Sequence, residues 1–430
     1  MEEAKIANYL KWTGIALLVV FPFLFLGGIH IGPISVRMIV AYGLLGYALW
    51  RGKTEYLPTR DMKLYFVFIA VYIIVNLLNL TAFQASFIKD LIAVHFICLI
   101  TIFAFPRLFK TEASVRGAYI VLAFGFLLDA ATTILQYKNS PLGWAVGMSI
   151  NPIDLDELNK IQSSLGDANE FRKAVIAGIM GKAVGNGYFI ATMLPVTTYF
   201  IWDKLGLKSL WSLIMFAVAA ICIYYIQQRM ALAVSVVYLF SIFMLKQVSA
   251  TTRFLFTAAT IAILALFMND ILNYDYSQLG RLTNTEDELR SSTLSVLDDF
   301  IRDPRRMLLG YNKIITSEDR NLFLIMGHNT FTDALRLGGI FLLLIYIVLF
   351  YFLCKTLFEI ILFSRHEEDY RTMGMAIGCL CFMLYSQTHS TGVQSGSIMF
   401  WTLYMLTIQS HRVRFEAIEE EMEEDEQTSL

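Results

Sequence analysis

The chain has 430 residues, of which 57% are hydrophobic and only 16% are charged. Its formal net charge is −2, and no basic domain that would bind nucleic acid is present. All five cysteines lie within apolar segments or at their ends, so the sequence predicts neither disulfides nor a zinc site. This composition is typical of a polytopic membrane protein.

Apolar runs of roughly 18 to 25 residues recur along the chain, and a run of that length crosses about 30 Å of hydrocarbon. The first follows an acidic leader, Met1 to Glu3, without a cleavage pattern, so we predict a retained signal anchor. We expect one all-α membrane domain over residues 1–415 with 12 transmembrane helices. The predicted spans are 13–29, 31–50, 63–81, 90–106, 117–135, 184–202, 209–226, 230–245, 254–272, 338–362, 372–386 and 397–410.

The positive charges then alternate from one connecting segment to the next. The segments on the N-terminal side carry 18 Lys and Arg residues, whereas the short loops on the opposite side carry only Lys89 and Arg229. By the positive-inside rule both termini are predicted to be cytoplasmic. The acidic stretch 416–430 is predicted to be a disordered cytoplasmic tail.

Two long loops, 136–183 and 273–326, fall on the outer side. In the first, the apolar spacing of residues 154–172 predicts a helix at the membrane surface. The second carries seven Arg or Lys and nine Asp or Glu residues, which is anomalous in so apolar a chain. We therefore expect the chemistry of the protein to involve this large loop.

Four residues on the outer side are candidates for that chemistry, and each also has a structural explanation. Arg229 stands between two spans, where it would either contact lipid headgroups or bind an anionic ligand. Arg281 and Arg290, in the large loop, would bind an anion or balance the carboxylates of residues 286–288. His328 stands where the large loop meets the membrane, and it would end a helix or act as an acid or base near neutral pH.

The order of these elements resembles the superfamily of O-antigen polymerases and O-antigen ligases. The resemblance rests on Arg229, on Arg290 and the helical run 294–301, on Pro304 to Gly310, on His328-Asn329-Thr330-Phe331 and on Leu337-Gly338-Gly339-Ile340. The chain departs from the family pattern in one respect, because Leu294 stands in the region where a Trp often follows the arginine.

The resemblance implies a GT-C-type glycosyltransferase of the bacterial envelope, active at the outer (periplasmic) face of the inner membrane without a metal or cofactor. Its donor would be a glycan on undecaprenyl pyrophosphate. Arg229 with Arg290 or Arg281 would neutralise the pyrophosphate, because guanidinium groups bind such oxygens with two donors and keep their charge. His328 would remove the proton of the acceptor hydroxyl, and Asn329 would orient the acceptor or the imidazole.

The preferred hypothesis is that the protein is a polymerase that joins lipid-linked repeat units of O-antigen, capsule or exopolysaccharide. A ligase that transfers the polymer to lipid A-core of lipopolysaccharide would use the same residues. A transporter of lipid-linked oligosaccharides would instead require polar residues near the middle of several spans, and Asp129, near an outer end, is the exception to an apolar pattern. The expected partners are the lipid-linked glycans and membrane lipids, and a chain-length regulator is left open.

Overall fold

The computed structural model describes residues 2–51, 59–78, 87–88, 91–151, 176–181, 183–205, 210–226, 229–244, 302–310, 329–388 and 392–428. These residues form a bundle of α-helices with one two-stranded hairpin. The helices are α1 (Glu2–Phe25), α2 (Val36–Trp50), α3 (Arg60–Leu78), α4 (Phe96–Leu108, preceded by a π-helical turn, Leu91–His95), α5 (Glu112–Tyr137), α6 (Pro141–Ile150), α7 (Ala183–Leu205), α8 (Leu210–Ile226), α9 (Arg229–Met244), α10 (Pro304–Leu309), α11 (Thr330–His366), α12 (Tyr370–Tyr385) and α13 (Ile398–Thr428).

Five helices among the described residues are long and apolar enough to cross a membrane: Ala4–Gly28, Arg60–Leu78, Leu91–Leu108, Glu112–Tyr137 and Thr330–His366. They expose large apolar side chains on their outer surfaces, for example Leu18, Phe341 and Leu362. These findings confirm the α-helical membrane class predicted from composition. The number of twelve spans stays a prediction, and the expected span 254–272 lies outside the described residues.

Glycines allow the central helices to approach closely. A β-carbon at Gly117 of α5 would lie 2.7 Å from the backbone of Trp12 in α1, and one at Gly378 of α12 would lie 2.8 Å from the carbonyl oxygen of Thr192 in α7. Membrane helices associate largely through such small residues, because lipid provides no hydrophobic force to drive them together. The pairs α1–α5 and α7–α12 are therefore closely packed.

The structure corrects three predicted boundaries. The first helix begins at Glu2 and not at Thr13. The predicted span 31–50 begins at Val36, because Ile29–Ser35 forms a hairpin turn with strands His30–Ile31 and Ile34–Ser35, and Ser35 then caps α2. The acidic tail is helical as far as Thr428, as a direct continuation of α13. The i, i+4 ion pair between Arg412 and Glu416, at 2.6 Å, supports the helix where this extension begins.

The two ends of the bundle differ in their polar residues. We call the end near the N-terminus the basic end; its best-defined contact joins Arg371 of α12 to both carboxylate oxygens of Glu112 in α5, at 2.5 and 2.8 Å. We call the opposite end the distal end. It carries the turn Leu26–Gly28, residues 138–140 and 176–181, and the described parts of the connection between α12 and α13, 386–388 and 392–397.

Candidate functional site at the distal end

The predicted site residues are described to different extents. Asn329 is described with its side chain. Arg229 is the first residue of α9, but its side chain is not described. His328, Arg281 and Arg290 lie outside the described residues, as does the predicted surface helix at 154–172. The binding of pyrophosphate by Arg229 with Arg290 or Arg281, and the role of His328 as a base, therefore stay predictions, and the site can be built only from Asn329 outward.

Asn329 holds the start of α11. Its side-chain oxygen accepts a hydrogen bond from the backbone N–H of Phe331 at 2.9 Å, which caps the helix. Its side-chain nitrogen donates to the carbonyl oxygen of Gln387, just after α12, at 3.1 Å. The next residue repeats this link, since the Thr330 hydroxyl lies 3.1 Å from Oε1 of Gln387. Asn329 thus fixes the backbone directly after His328, and its role in orienting the acceptor or the imidazole stays a prediction.

The helix that Asn329 caps reverses its direction after two turns. Gly338 and Gly339 have non-helical backbone angles, and Gly339 has φ +68° and ψ −163°. In consequence the ring of Phe331 lies 5.3 Å from that of Tyr346 and 5.2 Å from that of Phe350. In one continuous helix these residues would be about 22 and 28 Å apart, at 1.5 Å per residue. The segment 330–337 is therefore folded back alongside the later part of α11, which begins after Gly339.

A buried ion pair stabilises the folded-back segment. Nε and Nη2 of Arg336 donate to Oδ1 of Asp333 at 2.9 and 2.6 Å, and Nε2 of Gln394 donates to Oδ2 at 3.2 Å. Asp333, Arg336 and Gln394 are all buried. The i, i+3 spacing of the two charges was visible in the sequence, whereas nothing local pointed to Gln394. Both oxygens of Asp333 thus accept hydrogen bonds from side chains that are themselves buried, which gives this carboxylate a structural role.

The Pro304-to-Gly310 segment packs on the turn at Gly338 and Gly339. Asp303 caps α10 by accepting from the N–H groups of Arg305 and Arg306 at 2.9 and 3.3 Å. A β-carbon at Gly310 would lie 2.7 Å from the Gly338 nitrogen, and one at Gly339 would overlap the backbone of Leu308. Two motifs from opposite sides of His328 in the sequence are thus joined backbone to backbone.

A second group of polar side chains holds the segment 176–181. Oδ1 of the buried Asp129 accepts from the N–H of Ile179 at 2.8 Å, and Oε1 of Gln136 accepts from the N–H groups of Ala177 and Gly178 at 3.1 and 3.0 Å. The Asn186 amide donates to Oδ2 of Asp129 at 2.8 Å when its nitrogen faces the carboxylate. These hydrogen bonds satisfy backbone N–H groups that would otherwise lack acceptors in the interior of a membrane protein. Asp129, an exception to the apolar pattern in the sequence, therefore has a structural role.

The two polar groups are neighbours at the distal end. Tyr188, two residues after Asn186, packs its ring on Tyr385 with a centroid separation of 4.3 Å. Gln387, which is hydrogen-bonded to Asn329 and Thr330, lies two residues after Tyr385 in the connection that follows α12. Polar side chains, irregular backbone and one folded-back helix thus meet at this end. Irregular backbone at membrane depth is tolerated where it is buried in protein or lines a polar cavity.

A search against models of known protein families finds none that matches the chain, and a search of curated proteins finds no significant match. The geometry of the distal end and the sequence motifs therefore carry the functional interpretation.

Proposed function

We propose that the protein is a glycosyltransferase that polymerises lipid-linked polysaccharide repeat units at the outer face of the membrane. The proposal is supported above all by the folded-back segment 330–337. It carries Asn329, the residue directly after His328, among polar side chains at the distal end, while the Pro304-to-Gly310 motif packs on its turn. A substrate with a lipid tail and a polar head requires polar groups next to apolar helices, because its reactive group lies at headgroup depth while its tail stays in the bilayer.

In the proposed reaction, the acceptor hydroxyl attacks the anomeric carbon of the donor glycan, and the bond from that carbon to the lipid pyrophosphate breaks. His328 takes the hydroxyl proton, and Arg229 with Arg290 or Arg281 stabilises the charge on the leaving pyrophosphate. Asn329 acts through the backbone by fixing the residue that precedes it. A ligase that delivers the glycan to lipid A-core would use the same groups, so the acceptor distinguishes the two functions.

The test is transfer by the purified protein from an undecaprenyl-pyrophosphate-linked repeat unit. His328→Ala should lower the rate by about 10²–10⁴-fold, as expected for the loss of a positioned general base. Arg229→Lys should also lose most activity, because an ammonium cannot make the planar two-point contact. His366→Ala is the matched control, since His366 is exposed at the basic end, with Nδ1 2.7 Å from Glu367. A His328→Ala protein that transfers glycan at the wild-type rate would contradict the proposed role.

The product that accumulates in a deletion strain separates polymerase from ligase. Single repeat units on lipid A-core are expected for the loss of a polymerase. Polymer retained on undecaprenyl pyrophosphate would instead identify a ligase.

A further inference from the structure

Arg37 is a cation at the distal end that the sequence analysis did not single out, because it falls inside the predicted span 31–50. It lies in the first turn of α2 and is partly buried. It shares the inward-facing stripe of α2 with Ala41, Leu44 and Ala48, which are all buried. The guanidinium is thus directed at the bundle and not at the surrounding lipid.

The hydrogen bonds of Arg37 leave its charge without a counter-ion among the described residues. Nη2 donates to the carbonyl oxygen of Leu24, near the end of α1, at a long 3.3 Å. Nε is buried and has no acceptor within the described part of the chain. A guanidinium carries five N–H donors, so one carbonyl uses only a fraction of its capacity. The contact with Leu24 explains how α1 ends, but it does not neutralise the charge.

The two fully buried arginines among the described residues are neutralised. Arg336 is paired with Asp333, and Arg371 is paired with Glu112. An unpaired guanidinium inside a membrane protein is costly, and such residues usually pair with an anionic group. No carboxylate among the described residues pairs with Arg37, so an anionic ligand is the expected partner.

The backbone around Arg37 leaves room for the guanidinium. Gly27, in the turn after α1, lies directly against it, and a β-carbon there would overlap the guanidinium carbon. Gly28 is held in turn by Asn151, whose Oδ1 accepts from the Gly28 N–H at 2.8 Å and whose Nδ2 donates to Phe25 at 2.9 Å. The turn is therefore fixed independently of Arg37, and the glycine keeps one side of the guanidinium free of side-chain atoms.

We propose that Arg37 binds a phosphate group carried by a lipid. Phosphate oxygens match the planar arrangement of guanidinium donors, and a charge-assisted bond of this kind is among the stronger hydrogen bonds in proteins. The phosphate can belong to a lipid-linked diphosphate, in which case Arg37 adds to the arginines of the proposed reaction, or to the headgroup of an anionic phospholipid. The proposal concerns binding, so it does not depend on the proposed function.

The experiment measures binding in nanodiscs made from phosphatidylcholine alone. Inorganic pyrophosphate is titrated into the wild-type protein, Arg37→Gln and Arg51→Gln, with the melting temperature as the readout. Arg51 ends the same helix at the basic end, where it is exposed, and serves as the matched control. We expect saturable stabilisation of the wild type and of Arg51→Gln, and a dissociation constant at least about tenfold higher for Arg37→Gln, as for the loss of a hydrogen bond to a charged group.

A second arm identifies the source of the phosphate. The proteins are purified from mixed membranes, and the phosphatidylglycerol retained by each is counted by native mass spectrometry. Loss of retained phosphatidylglycerol in Arg37→Gln, without an effect on pyrophosphate binding, would assign the site to a phospholipid headgroup. Equal behaviour of wild type and Arg37→Gln in both arms would overturn the proposal.

Gly27→Ala provides a second test in case Arg37→Gln fails to fold. Its added methyl group displaces the guanidinium but keeps the charge, so binding should weaken while the elution volume on gel filtration stays that of the wild type. Wild-type binding by Gly27→Ala would count against a site at the observed position of Arg37. The readout here is pyrophosphate binding and not glycan transfer, so failure of the catalytic proposal and failure of this one give different results.

Discussion

Replacement of Gly339 by alanine should release the Pro304-to-Gly310 segment from the distal end. Gly339 has φ +68° and ψ −163°, a backbone conformation that is almost restricted to glycine. Its missing side chain is also the space that the backbone of Leu308 fills. Alanine would therefore strain the turn and collide with α10 at the same time.

The two effects can be given rough magnitudes. A side chain in such a backbone region costs about 1–3 kcal/mol. Forcing a methyl group into a packed contact costs about 1–3 kcal/mol more, since backbone atoms cannot rotate out of the way. The total of about 2–6 kcal/mol is an upper bound for the loss of global stability. The short helix α10 can detach instead, so we expect the loss to be mainly local.

Hydrogen exchange measured by mass spectrometry reports this detachment directly. In Gly339→Ala, the amides of residues 305–310 should exchange at least about tenfold faster, and the melting temperature should fall. Gly46→Ala is the matched control: Gly46 lies within α2 with no atom near its missing side chain, so alanine should be neutral or stabilising by about 0.5–1 kcal/mol. Unchanged exchange at 305–310 in Gly339→Ala would refute the proposed packing of the two motifs.

Three further predictions concern single contacts. Asn329→Ala should destabilise the start of α11 by about 0.5–2 kcal/mol, as for other lost helix caps, whereas Asn329→Ser should retain the cap; hydrogen exchange at Phe331 distinguishes them. Arg371→Lys should lower the melting temperature, because the single ammonium of lysine cannot bind both oxygens of Glu112 as the guanidinium does. The exposed pair Arg412–Glu416 provides the control, since Arg412→Lys should have little effect on the melting temperature. Burial beside Phe363 lowers the pKa of His411 below its usual 6.5, so the unfolded chain binds a proton before the folded protein does as the pH falls through about 6.5. Stability should therefore decrease as the pH falls through that range. His411→Gln should flatten the dependence of melting temperature on pH.

The sequence predicted the membrane helices where a long apolar run was the only signal. The helices Arg60–Leu78 and Glu112–Tyr137 cover the predicted spans 63–81 and 117–135 to within a few residues. It failed where a short turn interrupts an apolar run, as at Ile29–Ser35, because hydropathy averages over a window and the turn residues carry little weight in it. The folded-back segment escaped prediction for a similar reason, since only the pair Gly338-Gly339 marks the reversal.

The polar contacts of the distal end were less predictable still. Arg336 and Asp333 are close in sequence and could have been paired by their spacing. By contrast, Asn151 meets Phe25 and Gly28, and Gln394 meets Asp333, through contacts between residues that are far apart in the chain. Such contacts follow from how the helices pack, and a single sequence carries no local signal for them. Arg37 was not identified as a site residue because one charge changes the average hydropathy of an otherwise apolar span very little.

The continuity of α13 with its acidic end gives the protein a rigid arm. Its 31 residues correspond to about 46 Å at 1.5 Å per residue, well beyond the roughly 30 Å of a hydrocarbon layer. The exposed glutamates at positions 416, 419–421 and 423 are therefore held away from the bundle at a set distance. Because the arm is a direct extension of a packed helix, any tilt or rotation of α13 would move these charges by a larger distance than the packed part of the helix moves. The displacement of a spectroscopic label near the end of α13 would therefore report small rearrangements of the bundle.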